Sequence, residues 1–125
     1  MIKIGQIIYN SLAANTAITN LVGNKIYPLI APENTTGSFI IYTRSYTNEN
    51  NKDSYTGEIT IELLIISIDY KNSIELAENC INTLTTLEGQ NNDYYIFNCV
   101  NVSGSESYNE NGYTQNLVFT IKASK

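Results

Sequence analysis

Carboxylates are the main groups in this chain that could do acid–base chemistry, because it contains 12 Asp and Glu residues and no histidine. A serine or cysteine nucleophile would therefore have no imidazole to activate it. Glu58 and Glu62 share one face of a predicted strand, but four strand residues place them ~13 Å apart. Glycosidase carboxylate pairs lie ~5–9.5 Å apart, so Glu58 and Glu62 are too far apart to act as such a pair. Only two carboxylates from distant segments of the chain could form one. Neither a Walker A sequence nor G-x-G-x-x-G occurs, and we expect no enzymatic activity.

Two further features bear on metal and thiol chemistry. The segment "NENNKDS", 48–54, offers oxygen ligands for calcium but lacks the central Gly and distal Glu of an EF-hand, so a solvated loop is expected. Cys80 falls in a helical pattern and Cys99 in a strand pattern. Free cysteine is among the most buried residue types, and there is no histidine to complete a zinc site. We expect two buried thiols, no metal and no cofactor.

Charge and hydropathy exclude two classes of partner. The net charge is −5, and the seven basic residues are scattered, so binding to nucleic acid is not expected. The longest apolar run, 63–66, is far shorter than the ~20 residues of a membrane helix, and the N-terminus lacks the apolar block of a signal peptide. A chain of 125 residues suits a single domain, 1–125, with one modest core.

The first 29 residues predict two helices and a short extended segment. Apolar residues at helical spacing indicate the first helix: Ile4, Ile7, Ile8 and Leu12. The second can begin with Asn15 or Thr16 as N-cap and end at Gly23. Pro28 disfavours helix at the preceding residue, so residues 25–29 should be extended.

The rest of the chain predicts four strands and one long helix. Segments rich in branched and aromatic residues are the expected strands: 38–46, 58–70, 94–102 and 113–123. The helix, 72–89, begins with Asn72 and Glu75 as a capping pair and ends at Gly89. Its predicted apolar face is Ile74, Ala77, Cys80, Ile81, Leu84 and Leu87. Two polar segments should be loops, 47–57 and 103–112.

This order predicts an α+β fold, a mostly antiparallel sheet with two main helices packed on one face. The expected core between sheet and helix is Ile59, Ile61, Leu63, Ile81, Leu84, Leu117 and Phe119. Towards its end the strand 58–70 carries apolar residues on both faces, because Leu64, Ile66 and Ile68 alternate with the core positions. Such a strand should be covered twice, by its own helices or by a neighbouring subunit.

The text "AITNLVGNKIYP", 17–28, leads through a Pro-containing connection into the strand "SFIIYTRS", and "ESYNENGYTQNLVFTIKA" closes the chain. With the order of elements, this resembles the tail completion family of long-tailed bacteriophages, the tail terminator or tail-to-head joining proteins. The similarity spans nearly the whole chain, and "LVGNKIYP" is its most specific part. Family members usually place Pro directly before the strand, where this chain has Gly37 and Ser38.

The resemblance implies a subunit that forms a ring, commonly of six, which caps the tail tube and docks it to the head connector. The implied partners are further copies of the chain, the tail tube protein and the head–tail connector protein. The implied location is the virion tail neck, with assembly in the host cytoplasm. The family supplies no catalytic residues. The alternatives are a head-side connector ring and a soluble Tyr- and Asn-rich module that binds a sugar or peptide.

The two polar loops are the expected contacts between rings, because they are rich in Asn and Ser and flanked by tyrosine. The residues assigned to this interface are Tyr46, Asn48, Asn50, Asp53, Tyr55, Glu106, Tyr108, Asn109 and Tyr113. The segment 21–42 is interpreted as a hinge in which Tyr27 and Pro28 fix how the helices lie on the sheet.

Overall fold

The computed structural model describes residues 2–48 and 56–125. The helices and strands of these residues follow one another as α1 Ile4–Ala13, α2 Thr16–Val22, β1 Ile26–Pro28, β2 Phe39–Asn48, β3 Thr56–Ser67, α3 Tyr70–Leu84, β4 Gly89–Asn91, β5 Tyr94–Asn109 and β6 Gly112–Ser124.

The strands of the described residues form one sheet in the order β1-β2-β3-β6-β5-β4, and among these strands only the β1–β2 pair is parallel. Cross-strand pairs such as Ile40↔Ile65 and Ile61↔Phe119 place buried apolar residues on one face. The helices cover this face and share one apolar core with it. The predicted α+β fold is confirmed.

The predicted core is confirmed at all but one position. Ile59, Ile61, Leu63, Leu84, Leu117 and Phe119 are at most 5% exposed. Ile81 is the exception, since it is only partly buried and packs against the edge of the core. Cys80 and Cys99 are free thiols and buried, as expected.

The second helix begins and ends where the sequence predicts. The Asn15 side-chain oxygen caps α2 by accepting hydrogen bonds from the backbone N–H groups of Ala17, at 2.9 Å, and Ile18, at 3.3 Å. Gly23 follows with φ of 63°, in the left-handed region that favours glycine. The extended segment is shorter than predicted, because Leu29 adopts φ of 67° and turns the chain away after Pro28.

The predicted start, end and apolar face of the long helix are wrong in part. Asp69, rather than Asn72, is the N-cap, and its side chain accepts a hydrogen bond from the Asn72 N–H at 3.3 Å. The helix ends at Leu84, and Gly89 instead begins β4, a strand that the sequence pattern did not predict. Ile74 is 41% exposed, whereas Ser73 and Leu76 are fully buried.

The predicted loop 103–112 is the largest error. β5 continues to Asn109 and pairs with β6 down to the register pair Asn109↔Gly112. The polar side chains there are exposed, so a polar sequence is compatible with a strand whose backbone groups are paired with β6. Gly112 is required at the turn, because a Cβ on it would lie 2.5 Å from the Ser67 carbonyl oxygen. The other predicted loop is also shorter, since β2 extends to Asn48 and β3 begins at Thr56.

The apolar residues on the second face of β3 are only partly covered. Ile66 is buried, Leu64 is half-buried and Ile68, beyond the strand end, is 73% exposed. The sequence pattern predicts that both faces of β3 are covered towards this end. Within the described part of the monomer, the second face is only partly covered.

Candidate interaction surfaces

The described strand ends that border the two segments predicted to contact neighbouring rings lie at opposite ends of the sheet. In the β3–β6 register, Thr56 pairs with Ser124 and Ser67 pairs with Tyr113. The β2 end at Asn48 and the β3 start at Thr56 are therefore at one end of the long strands, which we call the β2–β3 end, and the β5–β6 turn is at the other. At ~3.3 Å per residue, Gly112 and Ser124, the two ends of β6, are roughly 40 Å apart. The described residues of the predicted interface thus form two separate groups.

The β5–β6 end carries a cluster of three tyrosines, which we call the tyrosine cluster. The ring of Tyr113 lies 5.3 Å from that of Tyr70 and 4.8 Å from that of Tyr108, measured between centroids. Tyr108 is 70% exposed and Tyr70 is 43% exposed. Exposed aromatic rings that are already packed against one another can enter an interface with little loss of side-chain entropy.

Glu106 links this cluster to the first turns of α3. The Tyr70 hydroxyl lies 3.0 Å and 2.9 Å from the two carboxylate oxygens of Glu106. The Gln115 amide donates a hydrogen bond to the same Glu106 carboxylate at 3.0 Å. The same amide reaches the Ser73 hydroxyl oxygen at 3.3 Å. The hydrogen bond from Gln115, followed in size of effect by that from Tyr70, lowers the pKa of Glu106. The hydrogen bond to Glu106 in turn raises the pKa of Tyr70. These contacts hold the β5–β6 hairpin against α3.

The group at the β2–β3 end is described only in part. Tyr46 is 38% exposed, and the Arg44 guanidinium lies 5.4 Å from the centroid of its ring. Asn48 is the last residue of β2. The other residues predicted at this end fall outside the described residues: Asn50, Asp53 and Tyr55.

Of the predicted interface residues, the structure brings together Glu106, Tyr108 and Tyr113. Asn109 caps the adjacent turn, where its side chain accepts a hydrogen bond from the Asn111 N–H at 2.8 Å. Sequence reasoning missed Tyr70, Ser73 and Gln115 as members of this site. The sequence did hold one signal for Gln115. The alternation of apolar and polar residues placed it on the buried face of its strand, and a buried amide needs hydrogen-bond partners.

Two cavities lie beside β2, on opposite faces of the sheet. The first, of about 460 Å³, opens between α1 and β2 and is lined by Gly5, Gln6, Tyr9, Pro28, Leu29, Tyr42, Thr43 and Arg44. Burial, and then the neighbouring Tyr9, raise the pKa of Tyr42. The second, of about 550 Å³, has Phe39, Ile41, Leu64 and Ile66 among its lining residues, together with Ile30–Pro32 of the connection that precedes β2.

The thiols are not placed for chemistry. Burial raises the pKa of Cys80 to about 12 and that of Cys99 to about 11, so both stay protonated at neutral pH and are poor nucleophiles. Within residues 2–48 and 56–125, no group of three or more His, Cys, Asp or Glu side chains is arranged to hold a metal ion. None of the helices in these ranges is long and apolar enough to cross a membrane.

No protein-family model and no curated protein matches this chain. Among solved structures, it is similar to a chain in the virion of a native gene transfer agent (GTA) particle, with a TM-score of 0.81 and 14% identity, over 94% of this chain and 92% of that one. A second solved structure matches with a TM-score of 0.54 and 11% identity, over 98% of this chain and 95% of the other. The chain therefore shares its fold with a chain in the virion of a gene transfer agent particle.

Proposed function

We propose that this protein is a structural component of a phage-like virion, which forms a ring at the tail neck, terminates the tail tube and joins it to the head connector. The observation that carries the proposal is the fold shared with the GTA virion chain over nearly the full length of both, at a TM-score of 0.81. The narrower neck role is supported by the resemblance of residues 17–28 and of the element order to the tail completion family.

The position of the hairpins fits a protein that joins two different partners. A neck subunit contacts the tail tube on one side and the head connector on the other. The β2–β3 and β5–β6 ends lie at opposite ends of the same strands, so each can contact one partner without competing with the other. Tyr46 at one end and Tyr108 at the other are exposed, and tyrosine is enriched in protein interfaces.

The ring is expected to contain six copies, and its partners are the tail tube protein and the connector protein. The assembled protein is located in the virion neck, after assembly in the host cytoplasm. No residue of the chain is assigned a catalytic role, since the function consists of binding and positioning.

Complementation of particle assembly tests the two contact ends. Tyr108→Ser changes the β5–β6 end at an exposed position, and replacement of residues 49–54 by a Gly-Ser linker of equal length changes the other. Each variant should fold but leave heads and tails separate. Glu78→Ala, at an exposed position midway along α3, is the control and should assemble normally.

Normal numbers of joined particles with both altered ends would contradict the assignment of the hairpins as contact surfaces. Joined particles that contain this chain on the head side of the connector would replace the tail role with that of a head-side ring.

A further inference from the structure

One margin of the sheet is formed by a strand that is open along most of its length. β4 pairs with β5 only through Tyr94–Ile96. Among residues 2–48 and 56–125, the stretch 97–109 of β5 has β6 on one side and no strand on the other. It contains no Lys, Arg or Pro, and Glu106 is its one charged residue. Charged side chains, Lys above all, and Pro commonly block edge-to-edge pairing. We call this stretch the β5 margin.

The β5 margin also exposes apolar side chains. Phe97 is 43% exposed, Val100 46% and Val102 52%. Phe97 and Val102 occupy the two irregularities of the β5–β6 register, between Ile96 and Asn98 and between Asn101 and Ser103. Bulges at sheet edges redirect side chains. These apolar groups are therefore accessible at an open edge, which indicates a binding surface.

The opposite margin is open as well. β1 pairs with β2 only through Ile40–Tyr42, because the chain turns away at Leu29. Residues 43–47 of β2 have β3 as their one strand neighbour in the described part of the chain. We call residues 43–47 the β2 margin.

Charge favours contact between these two margins. The chain has a net charge of −5, so two copies repel each other overall at low salt. Residues 97–105 carry no charge, and the one charged residue among 39–47 is Arg44, which is basic. The two margins can thus approach without bringing carboxylates from both copies together.

We propose that the β5 margin of one copy docks edge to edge on the β2 margin of a second copy, which brings Phe97, Val100 and Val102 of the first copy alongside residues 43–47 of the second. The two margins are different surfaces at opposite sides of one sheet, so a single head-to-tail contact covers both. Contacts of this kind close into rings when the rotation permits, and added strands extend a sheet through backbone hydrogen bonds. The inference rests on the proposed ring and names the surfaces that close it.

Paired cysteines in assembled particles test this contact. Ser45→Cys on the β2 margin and Asn98→Cys on the β5 margin are combined in one chain and treated with a short bis-maleimide. A denaturing gel should show a ladder of multimers up to the ring size, because each link joins one copy to the next. Each single variant should show almost no multimers. Cys80 and Cys99 are buried and should not contribute.

The control pair combines Ser45→Cys with Glu78→Cys, which is exposed on α3. Absence of the ladder from the margin pair, or an equal ladder from the control pair, overturns the proposed contact. If imaging still shows a ring in these particles, only the contact is wrong and the neck role stands. If the particle contains no ring of this chain, the neck-ring function fails, and this contact with it.

A charge introduced at the interface gives a second readout. Val100→Lys and Val102→Lys change half-exposed positions and should leave the thermal midpoint within ~2 °C of the wild type, as surface changes do. They should reduce the ring incorporated into particles at least tenfold. Ile74→Lys, at a position exposed to a similar extent on α3, should leave incorporation unchanged. Normal incorporation of folded Val100→Lys and Val102→Lys overturns the contact.

Discussion

Truncation of Leu84 should destabilise the protein strongly, because this residue anchors the end of α3 in the core. Its side chain is fully buried. Leu84→Ala removes three carbon atoms, and at ~0.8 kcal/mol for each buried methylene the lost transfer free energy is about 2.4 kcal/mol. The cavity left behind brings the usual total to ~2.7–5 kcal/mol. The free energy of unfolding should fall by about 3–5 kcal/mol, which lowers the melting temperature by on the order of 10 °C.

Two further truncations on α3 test which face of the helix is buried. Leu76 is fully buried and Ile74 is 41% exposed. Leu76→Ala should therefore cost about as much as Leu84→Ala, whereas Ile74→Ala should cost roughly 1 kcal/mol or less. Urea unfolding followed by circular dichroism measures the three values, and an unchanged m-value shows that the transitions are comparable. A loss below ~0.5 kcal/mol for Leu84→Ala, or a larger loss for Ile74→Ala than for Leu76→Ala, would refute the described packing of α3.

Three other properties can be measured on the isolated protein. The pKa of Glu106 is lowered by Gln115 and Tyr70, so its stabilising contribution is present above the unfolded-state pKa of ~4.3 and is lost as the pH falls through the lower folded-state pKa. Glu106→Gln should therefore weaken the acid dependence of the unfolding midpoint below about pH 4, and an unchanged dependence would show that the carboxylate is not held in this way. Because burial raises the pKa of Cys80 to about 12 and of Cys99 to about 11, a thiol reagent at pH 8 should react with both only after unfolding; prompt reaction of the native protein would contradict their burial. Six copies with a net charge of −5 each give a ring of about −30, which repels phosphate, so a gel shift at low salt should show no submicromolar binding to duplex DNA, and a clear shift would disprove this.

The elements that could be predicted are those set by local signals. Asn15 and Gly23 delimit α2 because a cap and a left-handed residue act within one turn. The alternation of β3 and β6 shows which residues face the core, since side chains in a strand point to opposite faces. The apolar spacing of α3 identified a helix, but its buried face is rotated towards Ser73 and Leu76, because a hydrogen-bonded serine occupies a position that hydrophobicity alone assigns to the surface.

The extension of β5 and the tyrosine cluster could not be predicted, because both depend on contacts between residues that are distant in the sequence. The polar residues of 103–109 show that their side chains are exposed, but a strand forms there because β6 supplies the backbone partners. Likewise, Tyr70 and Glu106 are 36 positions apart in the chain, and Gln115 and Ser73 are 42 apart. No local pattern records these pairs, so sequence reasoning found two of the three tyrosines in the cluster and assigned the segment 103–112 to a loop.

A cryo-EM reconstruction of the particle that contains this protein tests the central claim most directly. The neck account predicts a closed ring of this chain, with six copies, between the last ring of the tail tube and the connector. The β2–β3 and β5–β6 ends should face opposite neighbours in that ring. Single copies without ring symmetry, or density for this chain at a site away from the neck, would contradict the account.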